Sequence, residues 1–183
     1  MAKNLVRYQQ TGNLHFITFS CYRRLPYLGS PKVRELFERS LEEMRTRYDF
    51  YINAYVVMPE HVHLLVSEPK GAILAKAIQA LKLSVSVQQE KTPFWQARYY
   101  DFNVYTQRKF QQKMKYIHRN PVTRGLVARP EDWAWSSFRH YATGMPGTVE
   151  IESSWVANAR ERAAAKAHIS EARYGAPAFE VMR

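Results

Sequence analysis

An α+β fold, one antiparallel sheet with helices on one face, is predicted by three features of the sequence. Aromatic and β-branched runs alternate with runs of helical period. Two strand-like runs are separated only by Pro59-Glu60, a break suited to a hairpin. The chain has 183 residues, the size of one compact domain with a tail and too short for a (β/α)₈ barrel of about 250 residues.

The elements follow in order. Leu14–Tyr22 (LHFITFSCY) is aromatic and β-branched and predicts a strand. Ser30-Pro31 opens a helix, with serine as the cap, proline in the first turn, and Val33, Leu36, Phe37, Leu41 and Met44 at helical spacing. Tyr51–Met58 is the second strand and His61–Ser67 the third. After Gly71, Ile73, Ala77, Ile78, Leu81 and Val85 mark a helix running to about Gln89. Arg98–Tyr105 is the fourth strand, and Thr106 caps a helix to Arg119. Gly144, Pro146 and Gly147 close the main domain, expected over residues 1–142. Residues 143–183 form a tail with an Ala/Arg/Glu-rich helix over Trp155–Arg173. The order β-α-β-β-α-β-α is the ferredoxin-like arrangement, which leaves the opposite sheet face as an open working surface.

Composition narrows the function. Hydrophobic residues are 46% and aromatics 14% of the chain, enough for a core and too many for a disordered polymer. The single cysteine, Cys21, excludes an intrachain disulfide and a cysteine-based zinc ribbon. The first residues lack a signal-peptide core, and no run approaches the ~18 apolar residues of a membrane span, so a soluble protein in a reducing compartment is expected. The net charge of +11 points to a polyanion, most often nucleic acid. That surplus is uneven. The stretch Arg98–Arg129 holds eight cations against Asp101 alone, whereas the stretch from Thr143 onward holds five basic and five acidic residues. Tyr99, Tyr100, Phe102, Tyr105, Phe110 and Tyr116 interleave with those cations, as a single-strand track with stacking platforms requires; Phe102 and Phe110 are expected in the core.

Two spacings carry chemistry. On a strand, His61 and His63 project to one face while Val62, Leu64 and Val66 project to the other. Such a pair is either two ordinary half-buried histidines or a bidentate metal site lacking its third ligand. On the last helix of the sheet domain, Phe110, Met114 and Ile117 share the core stripe. Lys109, Lys113, Tyr116 and Asn120 share another stripe about a quarter turn away. Tyr116 alone could be a boundary tyrosine, and Asn120 alone a helix terminus before Pro121.

The segments M-P-E-H-V-H-L-L-V and Y-I-H-R-N-P-V, in this order and at this distance, resemble the HUH single-tyrosine transposases, and among them the REP-associated tyrosine transposases (RAYTs). The likeness covers roughly residues 5–141 and includes G-N-L-H-F-I-T-F-S-C-Y-R-R-L-P-Y-L, F-W-Q-A-R-Y-Y-D-F and W-A-W-S-S-F. It implies an enzyme that cuts and rejoins single-stranded DNA at palindromic repeat hairpins through a 5′-phosphotyrosine. Tyr116 would be the nucleophile, and His61, His63 and Asn120 the ligands of a divalent metal, Mg²⁺ or Mn²⁺. It also implies a bacterial, cytoplasmic, nucleoid-associated protein. Some relatives are dimers that exchange the tyrosine helix; RAYT-like members resemble monomers, and a monomer is expected here.

Arg23, Arg24, Arg98, Arg108, Lys109, Lys113 and Arg119 are the expected DNA contacts. Trp133 and Trp135 are expected to pack a C-terminal helix, with DNA contact as the alternative. Glu60 and His118 are candidates for a general base, and neither is assigned. Two rival readings remain. One is a non-catalytic hairpin-binding protein. The other is a metal-dependent hydrolase that adds His15, His118, His140 or His168 to the histidine pair.

Overall fold

The computed structural model describes residues 10–174. It forms two compact units, one ending at Ile151 and one beginning at Glu152. The first contains β1 (Leu14–Ser20), α1 (Pro31–Tyr48), β2 (Ile52–Val57), β3 (His61–Val66), α2 (Leu74–Ser86), β4 (Tyr100–Val104), α3 (Gln107–Thr123) and α4 (Phe138–Thr143). The second contains α5 (Ser154–Tyr174). The strands lie in the order β2-β3-β1-β4, and each neighbouring pair is antiparallel.

Local signals account for the elements. The Ser30 hydroxyl accepts from Val33 N at 3.4 Å, Pro31 occupies the first turn, and α1 stops at Asp49 in the left-handed region. Thr106 caps α3 by accepting from Lys109 N at 3.2 Å. Pro59-Glu60 turns β2 into β3, and Met58 N closes the hairpin on His61 O at 2.8 Å.

Each face of the sheet has its own core. Ile17, Phe19, Val62, Leu64 and Val66 point into the larger one and meet Phe37 and Leu41 of α1 and Ile78 and Leu81 of α2. On the other face Phe16, Ala54, Val56 and Leu65 meet Ile117 of α3, with Phe110 and Met114 packed alongside. All six residues of β3 are therefore buried.

The sequence expects helices on one face and an open face opposite. α1 and α2 obey this, but α3 lies against β2 and β3 on the opposite face. The Phe110-Met114-Ile117 stripe needs burial, and the first face is already filled by two helices. The opposite face stays open only along β1 and β4, where Tyr100 is exposed. α3 also runs past the predicted stop. It continues through Asn120-Pro121 because Pro121 is buried and Arg124 N and Leu126 N close on Asn120 O and Pro121 O at 3.0 and 2.9 Å. The usual pre-proline restriction yields to that packing.

The Trp-Ser segment docks on the free edge of β2. Val57 N donates to Trp135 O, Ser137 N donates to Tyr55 O, and Trp133 Nε1 donates to Val57 O at 3.1 Å. This covers an edge strand that would otherwise expose unpaired backbone groups. The two indoles also hold the buried Arg34 guanidinium, 3.8 Å from the Trp135 ring and 4.9 Å from that of Trp133. Val149 and Ile151 are buried in the larger core, so the chain stays with the first unit beyond residue 142.

Glu38 of α1 is buried and accepts from the Tyr55 hydroxyl at 2.7 Å; burial pushes its carboxyl up to about 7. A carboxyl raised in the folded state favours folding below its unfolded value of 4.5 and loses that advantage as pH rises through about 7. Glu38→Gln keeps the acceptor and removes the ionisation. It should raise the melting temperature at pH 8 by several degrees, on the order of 1–3 kcal/mol. The gain should shrink toward pH 4.5, as thermal denaturation at a series of pH values will show.

Candidate active site

The alternation of β3 sends His61 and His63 into the face shared with α3. Antiparallel register with β1 sets Thr18 opposite His63 and Ser20 opposite His61. The Thr18 hydroxyl meets His63 Nδ1 at 2.7 Å, and the Phe16 ring stacks on the His63 imidazole with centroids 5.5 Å apart. His61 Nδ1 meets Glu60 Oε1 at 3.1 Å. A carboxylate only accepts, so the His61 proton sits on Nδ1 and its Nε2 carries a lone pair. That Nε2 faces His63 Nε2 at 3.0 Å.

α3 supplies the rest. Asn120 is buried, its Nδ2 lies 3.3 Å from His63 Nε2, and its Oδ1 has no partner. Oxygen and nitrogen exchange places on a half-turn of the amide, which brings an acceptor oxygen to the imidazole pair. One turn earlier Tyr116 is half exposed, its ring centroid 5.1 Å from that of His63 and 5.9 Å from that of Phe16. The structure thus brings together the four residues that the motifs single out.

These groups line a cleft of about 810 Å³ that is open to solvent. Its charged walls are all cationic apart from the histidines: Arg24, Lys113, Lys115, Arg119 and Arg124. Lys113 Nζ lies 4.0 Å from the centroid of the Phe16 ring and 4.9 Å from that of Phe102. Burial, then the charge of Lys109, holds it below the usual lysine range. Burial, then His61, Lys113 and Arg24, pushes His63 down to about 3. Burial also lowers His61, against the pull of Glu60. Both imidazoles are neutral at pH 7, and the two Nε2 atoms lie within hydrogen-bond reach of each other. With the His63 proton on Nδ1, toward Thr18, both Nε2 atoms offer lone pairs to a cation.

Other expectations part company here. Arg24, Lys113 and Arg119 line the cleft; Arg23, Arg98, Arg108 and Lys109 do not. The Arg23 guanidinium lies over the Tyr22 ring instead. His118 Nε2 bonds Ser137 Oγ at 2.9 Å, and burial lowers it to about 4. His140 faces Met145 O at 3.3 Å. His15 sits on the α1–α2 side of the sheet between Asp101 (2.7 Å) and Glu68 (3.1 Å). The side chain of His168 lies outside the described residues. Among those described, no third histidine joins the pair. Tyr100, one of the expected stacking aromatics, lines the cleft as well, whereas Thr18, Phe16, Lys115 and Arg124 are the site residues that sequence reasoning missed. Only the cations among them carried a signal, membership of the basic stretch.

The fold and the cleft define a class: a ferredoxin-like protein with a His-x-His strand opposite a tyrosine helix. Residues 8–120 match the family described as "Transposase IS200 like". The chain is 28% identical over 141 residues to the REP-associated tyrosine transposase of Escherichia coli (strain K12), covering 76% of this chain and 85% of that one. A solved structure of a REP-associated tyrosine transposase bound to a REP hairpin superposes with a TM-score of 0.70 at 25% identity, covering 84% of this chain and 93% of that chain. The chain belongs to the IS200-like transposase family. Among the described residues no helix is long and apolar enough to cross a membrane.

The burial of His63 has a direct readout. In a metal-free ¹⁵N NMR titration its imidazole should stay neutral through pH 5 and become half-protonated only near pH 3. A midpoint near 6.5 would show that burial does not hold this imidazole neutral.

Proposed function

We propose that this chain cuts and rejoins single-stranded DNA at palindromic repeat hairpins, with Tyr116 as nucleophile and a divalent metal held by His61, His63 and Asn120. The observation that carries the reading is the convergence of one phenol, two neutral imidazole nitrogens 3.0 Å apart and a buried amide, whose oxygen has no partner among the described residues, in a cationic cleft. The hairpin substrate is inferred from the relatives, which are REP-associated transposases, one of them bound to a REP hairpin.

The donor set fits a divalent cation. Two nitrogens 3.0 Å apart match neighbouring corners around one ion with metal–nitrogen bonds of about 2.1 Å. Two neutral rings and an amide leave the ion its full charge. Imidazole suits Mn²⁺, while Mg²⁺ prefers oxygen, so Mg²⁺ in the cell and Mn²⁺ at least as effective in vitro are expected. When bound, the metal would polarise the scissile phosphate and neutralise charge on its non-bridging oxygens.

The chain's own residues do the rest. Tyr116 Oη attacks phosphorus, forming the phosphotyrosine bond as the phosphorus–O3′ bond breaks; the phenol gives up its proton to solvent and the departing oxygen takes one up, so a 3′-OH leaves. The ester energy is retained, so a 3′-OH can reverse the step. Phe16 braces the Tyr116 and His63 rings, which limits the search of the phenol for the phosphate. Lys113, one turn before Tyr116, offers an ammonium that favours the phenolate and the anionic strand. Tyr100 presents an exposed ring on the open side, suited to stacking a base.

Labelled single-stranded repeat DNA incubated with Mn²⁺ should yield an SDS-resistant adduct on a denaturing gel, lost on chelation. Tyr116→Phe should abolish the adduct while hairpin affinity stays within about twofold; an adduct that survives this change would falsify the assignment. Apart from Arg124, which is paired with Glu60, four cations line the cleft, so affinity for single strands should fall with a log–log salt slope of roughly −2.8 if all four contact phosphate. Arg119→Gln should make that slope shallower by about 0.7.

A further inference from the structure

We propose that Glu60 is a positioning residue whose carboxylate ties the orientation of His61 to the seating of the tyrosine helix through Arg124. The inference rests on the metal and nucleophile reading above and assigns to Glu60 a role other than the general base considered from sequence.

One carboxylate oxygen makes both contacts. Glu60 Oε1 lies 3.1 Å from His61 Nδ1 and 2.8 Å from Arg124 Nη2. Its backbone is fixed from the other side: Cys21 N donates to Glu60 O, and Leu28 N donates to the preceding Pro59 O, each at 2.9 Å. The carboxylate therefore hangs from a rigid turn. Arg124 caps the C-terminus of α3, and its own N donates to Asn120 O at 3.0 Å. The helical turn that carries Asn120, and behind it Tyr116, is thus pinned to the residue next to His61.

Two further observations separate this role from its alternatives. Glu60 is not among the residues that line the cleft beside Tyr116, and its carboxylate is already engaged by His61 and Arg124. Its side chain is only 12% exposed, against 50% for Arg124, so the pair is more shielded than an ordinary surface ion pair. The carboxylate acts on the imidazole as an outer partner acts on a metal-ligating histidine: it fixes the tautomer and the ring plane and raises ligand basicity. Arg124 does line the cleft, and a direct phosphate contact is the competing explanation for any effect of its removal.

The test uses the full chain. Mn²⁺ affinity is measured without DNA, from the free-ion EPR signal, alongside the melting temperature. Glu60→Gln should weaken Mn²⁺ binding 10- to 100-fold. Arg124→Gln should leave Mn²⁺ affinity within about threefold, yet lower the saturating rate of adduct formation roughly 10-fold with little change in half-saturating DNA concentration. At saturating Mn²⁺, Arg124→Gln should cost nothing further in the Glu60→Gln background. Wild-type Mn²⁺ affinity in a folded Glu60→Gln overturns the proposal and leaves the metal reading standing. An equal loss from Arg124→Gln in both backgrounds, or a loss expressed in half-saturating DNA concentration, also overturns it. If Glu60→Gln does not fold, that rate-versus-concentration split of Arg124→Gln decides alone. Undiminished Mn²⁺ binding by His63→Ala instead overturns the site reading, and the proposal with it.

Discussion

Two imidazole Nε2 atoms held face to face at 3.0 Å are the constraint around which this end of the molecule is arranged. Left free, the rings would turn away or take up a proton. Here neither is open to them. The far nitrogen of each is engaged, by Glu60 on one side and Thr18 on the other, and burial lowers the proton affinity of both. Phe16 closes one face of the His63 ring, so its plane is set by packing as well as by hydrogen bonds. The result is an electron-rich point with three potential donors, embedded in a cationic wall. The sheet supplies the rigidity: the antiparallel β1–β3 register alone determines that Thr18, and not a neighbour facing the other core, stands across from His63.

The tyrosine helix satisfies two demands that pull in different directions. It must bury Ile117 to be held, and it must leave Tyr116 half exposed to meet a substrate. Successive residues of a helix point about 100° apart, so one residue step separates anchor from phenol. Asn120 falls one turn beyond Tyr116, and burying it costs a polar group that must be compensated. The orphaned Oδ1 is where that compensation is missing among the described residues, and a half-turn of the amide would bring it to the histidine pair in place of Nδ2. Polar burial without a protein partner, at a point where lone pairs converge, is what links the packing of α3 to the chemistry of the cleft.

Much of this was legible in the residues. Ser30-Pro31, Thr106 and the Pro59-Glu60 break each announce their element through local chemistry, and each is found where that chemistry places it. The two stripes of α3 were legible because helical period is a short-range property. The side of the sheet that α3 occupies was not, because it depends on α1 and α2 filling the other face first, and no local pattern encodes that competition. Asn120-Pro121 misled for a related reason. A pre-proline preference is local, whereas the burial that overrides it is tertiary. Thr18 carried no signal either, and Glu60 stood out only as a turn residue and a candidate base. One acts through strand register and the other through a partner 64 residues away in Arg124.

The turn after β1 shows how the remaining cation reaches the cleft. Arg23 and Arg24 both have positive φ, 51° and 56°, a conformation that side chains other than glycine adopt at a cost. The strand cannot simply continue, because Cys21 N and Tyr22 N are held by Glu60 O and Phe94 O at 2.9 Å. The chain therefore reverses tightly, and the reversal splits two adjacent arginines: Arg23 lies over Tyr22, while Arg24 enters the cleft and adds its charge to the field at both histidines. Two glycines would fit the turn with less strain, but they would leave the wall opposite α3 without a charge. The strained backbone and the cationic cleft are thus one feature: the left-handed turn is what faces Arg24 toward Lys113 and Arg119, so that an anionic strand entering between β1 and α3 meets positive charge on both sides.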